Sequence, residues 1–522
     1  MVRIRGNYRV GTISYLSATN VQSESGVFFL TMLSRLPHNR GLRGLLVFVI
    51  LSLVLYAFIV GAIGGRRADT GVDHTARTIE MAFNWTHCGQ FSAMRSEGNG
   101  IVDHFRRSPN PVEMSLAKLA TRSNPSVEVY CDGEFSPIQN EDSGLFYLMS
   151  AVLFVTPNAT ALGIFWSLSI VMALCLTAFL MLLWRITKDP YVVATAILMS
   201  GGLYATMAVA QFLSTRTFMF PVYMLFITLV IRSRIATSYR SLALWSMAAG
   251  AIATAGINIR SSYVIHYFAV FALVIAVDSV QQLRRSEIEK SRIIQKALGG
   301  TLAFIFGWYL IQTIFIGALD NLDVESGLTH HPFAHPLVLG VAVPKSSFSD
   351  SKGIFWRDPI GAILAERVDP LANTNYERYE SALFKYYRGL WADHPGEMLG
   401  VYARKFHVAG QFEMSIYRKL IIGYVSPGTW FNSGYLLATF MALTTLLYVL
   451  KRHRKNPIIT ILMTAIIGGI LIDFAQAVVI FPDASLNYPV LIFGIAFTTA
   501  LFWSMIFDQL GITKRLAHRL RR

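Results

Sequence analysis

The stretch LLVFVILSLVLYAFIVGAIG, residues 45–64, has no charged side chain in twenty consecutive positions. A helix rises about 1.5 Å per residue, so about 20 apolar residues cross the hydrocarbon core of a bilayer. The stretch therefore predicts a transmembrane helix. The preceding residues, 1–43, are polar and basic, and the apolar run lacks a small-residue cleavage site. This pattern predicts a retained membrane anchor and not a cleaved signal peptide.

The whole chain has the same apolar character. Of its 522 residues, 53% are hydrophobic and 15% are charged, and the mean hydropathy is positive, which is typical of a polytopic membrane protein. The formal net charge of +15 does not indicate nucleic-acid binding, because Lys and Arg form short clusters between apolar runs and no nucleic-acid-binding motif appears. We expect the lipid bilayer as the main partner, and no nucleic acid.

Ten segments are long and apolar enough to span, which predicts an all-α polytopic membrane fold. They are 45–64, 160–184, 191–212, 217–232, 241–257, 262–280, 297–318, 433–450, 457–480 and 486–507.

Basic clusters occupy every second link between these spans and the tail after the last one. The positive-inside rule makes that side cytoplasmic, so we expect both termini in the cytoplasm and the protein in a bacterial inner membrane. This orientation requires that the apolar run 145–155 does not cross the membrane, and its eleven residues are too few to do so comfortably.

The predicted orientation divides the chain into five parts. These are a cytoplasmic N-terminal segment (1–43), seven spans with a first outer segment at 65–159 (44–318), a second outer segment (319–432), three spans (433–507) and a basic cytoplasmic tail (508–522). Long loops on one face favour chemistry at the membrane surface, whereas transporters usually bind substrates at the midplane. The layout therefore favours an enzyme.

The stretch QNEDSGLFYL, residues 139–148, places Glu141 and Asp142 directly before a short apolar helix. One interpretation is that these carboxylates cap the helix and meet the positive end of its dipole. The other is that one of them, held at the depth of the lipid headgroups, acts as a general base.

Three cations are candidates for binding a lipid-linked phosphate. Arg216 and Arg260 lie in predicted outer turns, against the positive-inside bias, and Lys405 lies near the end of a predicted amphipathic helix. Guanidinium groups bind phosphate bidentately. The alternative for both arginines is that they reach the phosphates of ordinary lipid headgroups.

The second outer segment contains two polar clusters. THHPFAHP contains three histidines, which predicts either metal binding or packing and substrate hydrogen bonding, although no carboxylate is adjacent in the sequence. GIFWRDPIG combines an aromatic side chain with two charges, which suits a sugar but equally suits a surface salt bridge. The residues of the two clusters are His330, His331, His335, Trp356, Arg357 and Asp358.

Aromatic and apolar residues recur at intervals of three and four from Tyr376 to Phe406. This predicts two amphipathic helices joined at His394 and Pro395. We expect their apolar faces to lie on the bilayer surface.

Cys88 and Cys131 both lie in the first outer segment. They either form a disulfide, if that face is oxidising, or remain two buried thiols. No Cys spacing indicates a metal site, and the cofactor is unknown, with a divalent metal left open. Nothing in the chain resembles a nucleotide-binding loop.

One N-terminal span, acids ahead of a juxtamembrane helix, short turns between spans and a second large outer segment together resemble the GT-C superfamily. This family includes protein mannosyltransferases and lipid A aminoarabinose transferases. The resemblance implies that an acid of the first outer loop deprotonates the acceptor or helps hold a metal, and Glu141 and Asp142 match that position. The chain departs from the family in two respects: residues 65–140 separate the acids from the first span, and Asn487-Tyr488-Pro489 lacks the family's preceding Arg.

The resulting hypothesis is a glycosyltransferase that moves a sugar from a polyprenyl-phosphate carrier to a glycan, lipid or protein acceptor on the outer face. One alternative is an O-antigen ligase or polymerase, which would depend on loop Arg and His residues. The other is a transporter or flippase, which the scarcity of charges within the spans disfavours.

Overall fold

The structure is a computed structural model. It describes residues 40–63, 72–96, 100–108, 110–122, 126–138, 143–187, 193, 197, 213, 215–260, 263–284, 290–319, 333–421 and 457–480. The chain divides into two compact units, and the larger one is Ser52–Ile506. All packing reported below lies within this larger unit. From the smaller unit, the described residues are the helical positions 40–51.

The described residues are mostly helical. The helices are α1 (Arg40–Ile63), α2 (Val72–Cys88), α3 (Ile101–Arg107), α4 (Leu116–Ala120), α5 (Val127–Cys131), α6 (Ser143–Val155), α7 (Ala161–Thr187), α8 (Thr215–Arg234), α9 (Tyr239–Ile259), α10 (Val264–Arg284), α11 (Lys290–Leu319), α12 (Ala334–Gly340), α13 (Ser347–Lys352), α14 (Asp358–Val368), α15 (Tyr376–Asp393), α16 (Pro395–Ile421) and α17 (Pro457–Val479). Two short strands, β1 (Ala93–Arg95) and β2 (Phe135–Pro137), pair in an antiparallel ladder with Met94 opposite Ser136.

Five described helices are long and apolar enough to cross a membrane, which makes this a multi-pass membrane protein. They are Ala161–Ile186, Thr217–Arg234, Tyr239–Ile259, Val264–Arg284 and Lys290–Phe315.

These five helices coincide with five of the ten predicted spans. Two further predictions, 45–64 and 457–480, fall on α1 and α17, whose described apolar stretches are shorter. The remaining three, 191–212, 433–450 and 486–507, lie outside the described residues except at positions 193 and 197.

Helices α9 and α11 pack closely because glycine removes side chains at their crossing. A Cβ added at Gly250 would lie 2.0 Å from the carbonyl oxygen of Phe304, and one added at Gly307 would lie 2.0 Å from that of Met247. Small residues bring helix backbones together in membranes, where van der Waals contact drives association. The glycines therefore allow close backbone contact between α9 and α11, and α8, the most buried of the five described spans, packs against α9.

Helix α6 is the short apolar helix that follows the acid pair. Its 13 residues extend about 20 Å, less than the roughly 30 Å of a hydrocarbon core. This length agrees with the expectation that the run does not cross the membrane. Along its sides α6 packs against α2, α7 and α9.

A small disulfide-linked fold precedes α6. Cys88 at the end of α2 is bonded to Cys131 at the end of α5, so of the two alternatives for these cysteines the structure contains the disulfide. Tyr130, fully buried, donates a hydrogen bond of 2.9 Å to Asn84 of α2. The bond and the buried tyrosine together hold α5 against α2.

Helices α12 to α16 form a second folded segment with its own hydrophobic core. Its two longest helices meet where predicted, with His394 ending α15 and Pro395 beginning α16. The prediction for their apolar faces was wrong in one respect. Tyr379 and Leu383 are buried in the protein core, because α12 and α14 cover the face of α15 that we expected to lie on lipid. Met398 of α16 is buried in the same core.

Candidate functional site

The predicted bases, Glu141 and Asp142, lie outside the described residues, but the helix that follows them is described. Its second residue, Gly144, touches the end of α9: a Cβ there would lie 2.7 Å from the backbone nitrogen of Ile259 and 2.8 Å from the carbonyl carbon of Asn258. Rotation of a side chain cannot relieve overlap with backbone atoms. Glycine is therefore required for α6 to begin where it does.

Arg260 follows that contact directly, at the C-terminal cap of α9. Its Nη1 donates a hydrogen bond of 3.4 Å to the hydroxyl of Thr215, the first residue of α8. Arg216 is the next residue of α8, and its side chain is not described. The end of α9 therefore contacts both the start of α6 and the start of α8. Of the two predicted phosphate-binding arginines, Arg260 lies at this end of α9 and Arg216 at the start of α8.

A polar contact connects the same end of α9 to α11. The amide nitrogen of Asn258 donates to the side-chain oxygen of Gln312 at 3.2 Å and to the carbonyl of Thr254 at 2.9 Å. One turn further along α11, Phe315 packs edge to face on Tyr147 of α6, with ring centroids 5.0 Å apart. The amides of Asn258 and Gln312 and the rings of Tyr147 and Phe315 therefore lie around one junction, formed by α6, α9 and α11.

The first outer segment supports α6 from its other side. The indole of Trp85 lies 5.3 Å from the ring of Phe146 and 5.9 Å from that of Tyr147. Phe91 contacts the same two rings. Because Trp85 is in α2, the disulfide-linked fold and α6 are packed as one unit.

Glu80 is a buried carboxylate of the first outer segment that the sequence did not reveal. Its two oxygens accept hydrogen bonds from the backbone nitrogens of Val102 (2.8 Å) and Arg95 (3.3 Å). It thereby caps α3, whose own cap residue, Gly100, offers no side chain. Burial raises the pKa of Glu80, and the two backbone donors oppose this shift. Because both of its oxygens accept hydrogen bonds from the backbone, Glu80 has a structural role.

His335 and Asp358, predicted to contact substrate, do come together. The Nε2 of His335 lies 3.5 Å from Oδ1 of Asp358, whose side chain is 81% exposed. On its other side, Nδ1 of His335 forms a hydrogen bond of 2.6 Å with the hydroxyl of Tyr379. Burial raises the pKa of Tyr379 to about 12, so its phenol stays protonated at neutral pH. The carboxylate missing from the sequence around His335 is therefore supplied by tertiary folding.

Trp356 and Arg357, the other residues of the predicted sugar-contact cluster, are exposed beside this group. Trp356 presents 39% of its surface, and Arg357 is the N-cap residue of α14 with no side-chain cap bond. His330 and His331 lie outside the described residues.

Lys405 is fully buried and bonded to protein atoms. Its ammonium donates hydrogen bonds of 3.0 Å to the carbonyls of Val479 and Ile480, and it lies 4.9 Å from the ring centre of Tyr402. These carbonyls belong to the C-terminal end of α17, where backbone acceptors lack helical partners and a cation is favoured. Lys405 thus caps α17, and its predicted phosphate contact stays a prediction.

The sequence left open whether the protein binds a divalent metal. Among the residues that the structure describes, no group of three or more His, Cys, Asp or Glu side chains could hold a metal ion.

Comparison with models of known families found no matching family, and comparison with curated proteins found no matching relative. By its fold, the chain is a multi-pass membrane protein, with one folded segment before the five described candidate spans and another after them.

Proposed function

We propose that this protein is a membrane glycosyltransferase that moves a sugar from a polyprenyl-phosphate carrier to an acceptor on the extracytoplasmic face. The contact of Gly144 with the end of α9 is the observation that supports this proposal most directly. Consecutive Cα atoms are 3.8 Å apart, so covalent geometry keeps the Cα of Asp142 within about 7.6 Å of that of Gly144. Asp142 therefore lies two residues along the chain from the contact with α9, the helix that Arg260 caps.

The proposed chemistry needs a base and a cation at one place. The carboxylate of Asp142 or Glu141 accepts the proton of the acceptor hydroxyl, whose oxygen then forms a bond to the anomeric carbon. The bond between that carbon and the carrier phosphate breaks, and the phosphate leaves with the electron pair. Arg260 and Arg216 stabilise the leaving phosphate by charge and hydrogen bonding. The phosphate-linked sugar supplies the driving force.

The test is a transfer assay with the purified full chain in lipid nanodiscs. Substrates are polyprenyl-phosphate-linked hexoses and pentoses, each offered with glycan, lipid and peptide acceptors. We expect Asp142→Asn or Glu141→Gln to lower the rate about 100- to 10,000-fold, the contribution of a positioned general base. Arg260→Gln should lower it about 100-fold through lost charge stabilisation.

Glu134→Gln is the matched control, because Glu134 is an exposed carboxylate of the same outer segment. It should leave the rate unchanged. Full activity in both acid variants would refute the proposed mechanism.

One observation favours the ligase or polymerase alternative: the approach of His335 to Asp358 in the second folded segment. In that case His335→Gln would abolish transfer while the acid variants stayed active. For the transporter alternative the relevant acids are Asp473, whose side chain is not described, and Asp278, close to the cytoplasmic end of its predicted span. Asp278 lies 3.9 Å from Arg234, as expected for an ion pair between two helices.

A further inference from the structure

Tyr147 has a buried hydroxyl group with no hydrogen-bond partner among the described residues. An unsatisfied buried polar group is unfavourable, and the great majority of buried polar atoms in proteins are paired. Such a group beside a candidate active site indicates a partner that binds there.

The position of Tyr147 within α6 shows where that partner would lie. Tyr147 is three residues after Gly144, so both project from the same face of the helix. Gly144 touches α9 at Asn258, and Tyr147 touches α11 at Phe315. The Tyr147 ring therefore lies between Phe315 of α11 on one hand and Trp85 and Phe91 on the other, near the point where α6 meets α9.

A second polar group lies in the same region. Gln312 is one turn before Phe315 on α11, and its side-chain oxygen accepts the hydrogen bond from Asn258. That bond fixes which way the amide of Gln312 points, and it does not use the two N–H donors. Asn258 is itself held by the carbonyl of Thr254, so it acts as a positioning residue for Gln312.

The chemistry of these groups differs from that of the arginines across the junction. Tyr147 and Gln312 are neutral and can donate or accept hydrogen bonds, as sugar hydroxyls do. Phosphate is better matched by Arg260, which lies beyond Ile259 on α9. The aromatic ring of Phe315 adds an apolar surface suited to the C–H face of a sugar ring.

We propose that Tyr147 and Gln312 form the subsite that recognises the hydroxyl groups of the transferred sugar, with Asn258 positioning Gln312. This inference rests on the proposed function and assigns the sugar specificity of that site to residues outside the acid pair and the arginines.

The experiment measures binding rather than transfer, so that it does not depend on the acceptor. The full chain is titrated with bare polyprenyl phosphate and with the same carrier bearing glucose, galactose, mannose or arabinose, and the dissociation constant is taken from thermal stabilisation. We expect one sugar-bearing lipid to bind wild type more tightly than the bare carrier. Tyr147→Phe and Gln312→Leu should each weaken binding of that lipid about tenfold, the effect of one or two hydrogen bonds, and leave binding of the bare carrier unchanged.

Tyr267→Phe is the matched control for the lost hydroxyl. The Tyr267 hydroxyl is also buried without a hydrogen-bond partner in the described part of the chain, but it lies against Gly256, which projects from nearly the opposite side of α9 to Asn258. This variant should bind the sugar-bearing lipid as wild type does.

The outcomes separate this inference from the proposed function. If Tyr147→Phe and Gln312→Leu bind the preferred lipid as tightly as wild type, the sugar subsite is elsewhere and the glycosyltransferase proposal stands. If no sugar-bearing lipid binds wild type more tightly than the bare carrier, the result contradicts the proposed function and this inference with it.

Discussion

The helix junction around Gly144 and the segment around Lys405 both contain residues predicted to bind substrate, but they use polar groups differently. At the junction, Arg260 has a long hydrogen bond to a hydroxyl, and the neighbouring Tyr147 hydroxyl has no partner among the described atoms. In the second segment, Lys405 donates to two helix-end carbonyls, and His335 is bonded to Tyr379.

The ammonium of Lys405 has its partners inside the chain, at a helix end. The phenol of Tyr147, in contrast, has a hydroxyl that is buried without a hydrogen-bond partner among the described residues, so a ligand could satisfy it. Three substitutions test this contrast, from the largest expected effect to the smallest.

Gly144→Ala should damage the junction most. The new Cβ would overlap backbone atoms of α9, so α6 must shift, and a displacement of about 1 Å at a reacting group can cost about 100-fold in rate. We expect a fall of that size in the transfer assay. Gly389→Ala is the control, because a Cβ there meets no atom within 4 Å. A wild-type rate in Gly144→Ala would show that the contact does not position the catalytic groups.

Lys405 should make stability depend on pH. Burial lowers its pKa from 10.5 to about 7, so between these values the unfolded chain binds more protons and the free energy of unfolding rises with pH. We expect the melting temperature to increase by roughly 5 °C from pH 7 to pH 9. Lys405→Met should remove this increase in thermal scans.

The exposed Lys345 provides the comparison for that experiment. It pairs with Asp350 at 3.4 Å and is 74% exposed, so Lys345→Met should keep the pH dependence of wild type. If the melting temperature of Lys405→Met rose with pH as steeply as that of wild type, another group would cause the pH dependence.

Asp358→Asn should have the smallest effect. An exposed ion pair contributes less than about 1 kcal/mol, so we expect a melting-temperature change below about 2 °C and a transfer rate within about threefold of wild type. Asp350→Asn, which removes another exposed partner, should behave in the same way. If Asp358→Asn alone lowered the transfer rate 100-fold, the second folded segment and not the helix junction would contain the catalytic groups, which favours the ligase-type alternative.

The spanning helices were predictable from the sequence because composition alone defines them. The predicted segment 241–257 became Tyr239–Ile259, and 262–280 became Val264–Arg284. Length and hydrophobicity are local properties, so no knowledge of tertiary contacts was needed.

The roles of individual polar residues were less predictable because they depend on distant partners. The two carbonyl acceptors of Lys405 lie at the end of α17, which is distant in the sequence, so these contacts could not be predicted. Glu80 was missed because the helix that it caps begins some twenty residues later, at Ile101, after the cap residue Gly100. The close fit of Gly144 was missed for the same reason, since its partner belongs to α9.

The disulfide between Cys88 and Cys131 has a consequence for producing the protein. Such bonds form and persist in oxidising compartments, so the first outer segment should mature only after it has been exported. Because Trp85 of this segment packs on α6, a strain that cannot oxidise thiols outside the cytoplasm should yield protein in which α6 is less firmly held. Expression hosts for every assay above should therefore be chosen for their oxidative folding machinery.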